Sequence, residues 1–213
     1  MDDATQWATA AARGGRGRAG WLRVMRRWHW ISSALCLGAM MLFSLTGITL
    51  NHASQIPAKP RVTTLGAVLP GDVLDSLRGV DGGALPGPLR SWLAEQWSLR
   101  VGPREAEWSE GEVYLSLPRP GGDAWLSVTL DDGRIEYERT DRGWIAYFND
   151  LHKGRNAGAV WGWFIDLFAV ACLIFSVTGL VLLKLHASQR GATWPTVGLG
   201  VVMPLLLAIL FIH

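Results

Sequence analysis

The stretch HWISSALCLGAMMLFSLTGITLNH, residues 29–52, decides the fold. Trp30 to Leu50 contains no Asp, Glu, Lys or Arg. At about 1.5 Å of rise per residue, roughly twenty such residues match the hydrocarbon core of a bilayer, about 30 Å. The stretch therefore reads as a spanning helix over about 30–51. An amphipathic interfacial segment (21–29) leads into it, and Pro57 and Pro60 end any continuation. A second apolar run extends from Ala157 to Leu183 and a third from Trp194 to about Ile212. Pro195 suits a first helical turn, and Pro204 predicts a kink in mid-span. The expected architecture is a membrane α-helical chain of three transmembrane helices, with a small α+β insert between the first two. Its segments are an unstructured Ala/Gly/Arg-rich arm (1–20), an interfacial segment with the first span (21–52), the insert (53–156), a second span (157–186), a link (187–193) and a third span (194–213).

Composition agrees. Hydrophobic residues make up 49% of the 213, and mean hydropathy is +0.19, high for a soluble domain. Of twelve Trp, seven fall at expected membrane borders: Trp21, Trp28, Trp30, Trp144, Trp161, Trp163 and Trp194. The indole is apolar with one polar N–H and favours that interface. Residues 1–28 carry six Arg and two Asp, 53–156 twelve Lys/Arg and fifteen Asp/Glu, and 184–193 Lys184 and Arg190 without an acid. The positive-inside rule places the N-terminus and the link in the cytoplasm and the acidic insert outside. The first span reads as an anchor, because no small-residue cleavage site stands out. Nothing in the charge pattern suggests nucleic acid.

Within the insert, 71–78 and 88–99 have helical spacing, and 143–152 reads as a short amphipathic helix. Residues 112–117 and 124–130 alternate as strands, and Asp131-Asp132-Gly133 is a hairpin turn into a third strand at 134–139. One repeat stands out. Phe43-Ser44-Leu45-Thr46-Gly47-Ile48 matches Phe175-Ser176-Val177-Thr178-Gly179-Leu180. The two spans run in opposite directions, so the repeat is inverted and implies a pseudo-two-fold axis in the membrane plane. That axis exchanges His52 with His186 and His29 with His152.

Those four histidines border the first two spans. If the chain crosses and returns, His29 meets His186 on one side and His52 meets His152 on the other. Two facing pairs at two depths suit two haems b, each held by two imidazoles; with no open position such a haem transfers electrons. His29 and His52 are 23 residues apart, about 34 Å along an ideal helix, so they serve different haems. No C-x-x-C-H occurs, so covalent haem attachment is not expected. Arg26, Arg27 and Arg190 lie near the inner pair, Lys153 and Arg155 near the outer pair. They are propionate partners or simply topology signals. Gly47 and Gly179 allow a flat macrocycle close to a helix, or pack helices. Asp166, the only acid inside a span, orients a ligand histidine, pairs with Arg155, relays protons or lies shallow at the interface. Cys36 and Cys172 read as packing residues.

Three stretches resemble the PepSY-associated transmembrane helix proteins. They run from Arg27, Trp28, His29 and Trp30 through Ser44–Gly47 to Asn51 and His52; from Asn149, Asp150, Leu151 and His152 to Lys153 and Gly154; and from Ser176 to Leu180. The resemblance covers about residues 21–186. It implies relatives that are inner-membrane reductases of ferric siderophores with b-type haems, whose bordering histidines match His29, His52, His152 and His186. It also implies relatives that pass electrons to flavin-bearing periplasmic proteins. This chain is smaller and has three spans, which favours an electron conduit with a reduced periplasmic domain. The expected function is transfer of electrons from a cytoplasmic or quinol donor to a periplasmic acceptor, a ferric chelate or flavoprotein, as a transmembrane oxidoreductase. The rivals are a non-redox PepSY-like module that binds a partner or regulates a peptidase, and a metal-ion carrier. The lipid bilayer is the expected surrounding partner, and a homo-oligomer stays open.

Overall fold

The computed structural model describes residues 3–57, 59–186 and 190–212, with side chains from residue 19 onward. Its contacts divide into two compact units: 1–41 with 166–213, and 42–165. The elements are α1 (Asp3–Asn51), β1 (Arg61–Val68), α2 (Gly71–Asp75), α3 (Gly87–Trp97), β2 (Glu107–Trp108), β3 (Glu112–Ser116), β4 (Gly122–Thr129), β5 (Arg134–Asp141), α4 (Gly143–His152), α5 (Gly158–His186) and α6 (Thr193–Phe211). Among the described residues three helices are long and apolar enough to cross a membrane: Ala19–Asn51, Gly158–His186 and Thr193–Phe211.

One expectation is corrected at the N-terminus. The arm over 1–20 is helical from Asp3, continuous with the first span. Extending an existing helix needs no new nucleus, and this segment has several alanines and no proline. Helix α6 likewise continues through Pro204 and has no buried residue.

In the first unit, α1 and α5 run antiparallel. Contacts advance from His29 to Cys36 on α1 as they retreat from Thr178 to Cys172 on α5. Cys36 is fully buried and Cys172 partly so, both as free thiols.

The second unit holds a five-stranded antiparallel sheet in the order β1-β5-β4-β3-β2. Residues β2 to β5 form a meander, and β1 adds to the free edge of β5, with Arg61 opposite Asp141 and Val68 opposite Arg134. The alternation in β4 buries Gly122, Ala124, Leu126 and Val128 on one face. Helices α2 and α3 and the segment joining them cover that face: Leu77, Leu85, Leu89 and Leu93 pack with Val113, Leu115, Leu126, Val128 and Ile135. Pro86 precedes α3 and its first turn contains Pro88, while Ser98 ends it with a left-handed φ of 52°. Leu126 is fully buried. Leu126→Ala should destabilise this unit by about 2–5 kcal/mol, since the transfer and cavity terms add. Chemical denaturation followed by near-UV circular dichroism measures this.

Candidate functional site

Two of the four span-bordering histidines, His29 and His152, each lie against one copy of the repeat. In the first unit, the His29 ring stacks on Phe175, with centroids 4.8 Å apart and planes 13° apart. Its Nδ1 lies 3.1 Å from Thr178 Oγ1 and 3.2 Å from the Phe175 carbonyl oxygen. The Thr178 hydroxyl donates to the carbonyls of Ile174 (2.6 Å) and Phe175 (3.1 Å). With the hydroxyl proton so committed, Nδ1–H is the donor to Oγ1. Gly179 forms the floor, because a Cβ there would lie 3.1 Å from His29 Cε1.

In the second unit, His152 repeats this arrangement on the other copy. Its ring lies 4.9 Å from Phe43, tilted by 50°. Its Nδ1 lies 2.7 Å from Thr46 Oγ1. The Thr46 hydroxyl donates to Leu42 (2.8 Å) and Phe43 (3.2 Å), the same i−4 and i−3 carbonyls. A Cβ on Gly47 would lie 3.6 Å from His152 Cε1, an ordinary contact. Thr46 and Thr178 are both buried.

The other two histidines are exposed at the C-terminal ends of α1 and α5. His52 Nδ1 donates to the Ile48 carbonyl at 3.0 Å and His186 Nδ1 to the Leu182 carbonyl at 2.8 Å. A carbonyl oxygen only accepts, so Nδ1 carries the proton here too. All four neutral imidazoles therefore keep the lone pair on Nε2. Ligand histidines are commonly fixed in this way, one ring nitrogen donating to an oxygen while the other faces the metal.

His152 is positioned by its neighbours on α4. The Thr49 hydroxyl donates to Asn149 Oδ1 at 2.7 Å. Buried Asp150 accepts from the Gly121 amide at 2.9 Å and from Arg142 at 3.4 Å. Gly121 has φ +71°, and a Cβ there would come within 2.7 Å of the Tyr147 backbone. The Trp161 indole N–H donates to the Leu151 carbonyl at 2.8 Å.

The remaining expected residues contribute less. Arg26, Arg27, Lys153, Arg155 and Arg190 are exposed, and among the described residues none forms an ion pair. Asp166 is exposed on α5, without a hydrogen bond or ion pair among the described residues. No group of three or more His, Cys, Asp or Glu side chains is gathered as a metal site among them. An imidazole lies against the helix at both Gly47 and Gly179. Sequence reasoning did not identify Phe43, Thr46, Phe175 and Thr178 as histidine supports, nor Asp150 as an anchor. The signal was present, since Phe and Thr recur in the repeat at the same offsets as Gly.

No curated protein and no solved structure matches the chain. The model of the PepSY_TM-like family matches residues 20–213, nearly the whole chain. The chain therefore belongs to the PepSY_TM-like family.

Proposed function

We propose that this chain is a di-haem b protein of the bacterial inner membrane that carries electrons from a cytoplasmic or quinol donor to a periplasmic ferric chelate or flavoprotein. The observation that supports this best is the twice-built histidine cradle, with Nδ1 committed and Nε2 left as the basic nitrogen. A haem, when bound, supplies one-electron redox chemistry.

The donor set fits such a group. His29 and His186 serve the inner site, His52 and His152 the outer. His52 follows Gly47 by five residues and His186 follows Gly179 by seven, about 8 and 10 Å along each helix. The Thr hydroxyl and Phe ring hold His29 and His152 in orientation. Arg26 and Arg27, and Lys153 and Arg155, without an ion pair among the described residues, would hold the propionates. The Arg-rich N-terminus and acidic insert support a cytoplasmic start and a periplasmic insert.

Transfer is tested with sealed vesicles, a donor on the cytoplasmic face and an impermeant ferric chelate outside. Donor-dependent reduction is expected, and a rate equal to that of protein-free vesicles contradicts the proposal. The cradles also predict an asymmetry. Gly179→Val should displace His29, at about 1–3 kcal/mol of overpacking, and lower inner-site haem content. Gly47→Ala, with its ordinary contact, should leave haem content unchanged. Haem per chain from the pyridine haemochrome spectrum measures both.

A further inference from the structure

The second unit contains a cleft of about 1110 Å³ outside the histidine cradles. Its origin lies in the strand register. On the face that carries the core, Ala67 is opposite Ile135 and Leu65 opposite Tyr137, under α2 and α3. The next two rows of that face are Thr63 opposite Arg139 and Arg61 opposite Asp141. The core face thus turns cationic past Tyr137, and the cleft opens over that end. Arg61, Arg119, Arg139, Arg142 and Lys59 line it against the single acid Asp141.

That acid is already engaged. Its Oδ1 accepts from the Gly143 amide at 2.8 Å and its Oδ2 from Arg119 at 2.8 Å. The Gly143 amide, with Arg119 and Arg139, holds its carboxyl below the usual carboxylate range. Arg142 pairs with Asp123 and Asp150, each at 3.4 Å. Lys59, Arg61 and Arg139 have no ion pair among the described residues. Arg119 Nε is buried without a hydrogen-bond partner among them. Helix α4, ten residues long, starts at the cleft wall, where Asp141 takes its first amide, that of Gly143. Ile56, Pro57 and Ile145 supply an apolar side.

We propose that this cleft binds a ligand carrying two or more anionic oxygen groups, carboxylate or phosphate, beside an apolar portion. Arg61 and Arg139 reach from adjacent strands to separate anionic groups. The volume suits a compound much larger than a free phosphate ion. Two sources offer this chemistry: a soluble polyanion, or the headgroup of an anionic lipid, since the cleft is bounded by the segments next to the ends of α1 and α5. The inference does not rest on the haem reading.

The test uses the full-length protein in phosphatidylcholine nanodiscs. One arm titrates citrate and pyrophosphate calorimetrically. The other counts phosphatidylglycerol retained from mixed nanodiscs by native mass spectrometry. Saturable binding near one per chain is expected in at least one arm. The first arm identifies a soluble ligand and the second alone a lipid headgroup. Arg139→Gln should weaken that binding about tenfold or more, the effect of losing one charge-assisted hydrogen bond. Arg61→Gln, at the sheet edge, should do the same and covers a folding failure of the first variant. Arg104→Gln, exposed and outside the cleft, should bind as wild type. No saturable binding in either arm, or equal weakening by Arg104→Gln, overturns the proposal.

Discussion

Replacing His29 by alanine should remove one of two haems and leave the other. His152→Ala should remove the second and spare the first. His186→Ala should behave as His29→Ala, and His52→Ala as His152→Ala. Loss of either ligand empties the same site, so a double change within a pair should be no worse than a single one. A double change across the pairs should leave none. Transfer should fall to the background of protein-free vesicles in every case, because the proposed path runs through both sites in series. Asp166→Asn should be milder, changing rate or pH dependence without emptying a site, because the carboxylate is exposed and holds none of the four histidines. Haem content and vesicle reduction rates on the same preparations distinguish these outcomes.

Asp150→Ala should have the next largest effect, although Asp150 touches no histidine ring. It strands the buried Gly121 amide and takes one carboxylate from Arg142. Unsatisfied buried groups of this kind cost on the order of 3 kcal/mol. The loss should be local, since the sheet core of Leu115, Leu126 and Ile135 is untouched. Amide exchange should accelerate over α4 and not over β4. The outer haem should be lost with α4 because His152 ends that helix. Asp150→Asn keeps an acceptor for the Gly121 amide and should lie between. Unchanged exchange in α4 of Asp150→Ala would refute the anchor role.

The three long apolar helices were legible because a nearly uncharged run of this length has one ready explanation in a bilayer. Strands β3, β4 and β5 were legible from alternation at Val113, Leu115, Leu126, Val128 and Ile135, with Asp132-Gly133 as the turn. Strand β1 was not. It is an edge strand, with Val62 and Val68 exposed, and its partner β5 lies some seventy residues later. Periodicity within a segment does not encode such pairing. Strand β2, Glu107–Trp108, is too short to show any period.

The candidate site was half legible. The histidine positions and the inverted repeat were readable; that His29 lies against the second copy and His152 against the first was not. What the repeat does was not readable. Thr46 and Thr178 could equally have been solvated or bonded to their own helices. Only the tertiary contact shows that the hydroxyl, already donating to its own helix, accepts from an imidazole on another segment. Asp150 stands out in the sequence only through the family resemblance. Its partner, the Gly121 amide, belongs to a turn that no periodicity marks.

The central claim is that the four Nε2 nitrogens hold two haems b. The most direct measurement is the dithionite-reduced pyridine haemochrome spectrum of the purified protein, set against protein concentration by amino-acid analysis. The account predicts a b-type spectrum at two haems per chain, falling to one in His29→Ala and in His152→Ala. A colourless protein purified from haem-replete cells, or haem content indifferent to all four histidines, would contradict it.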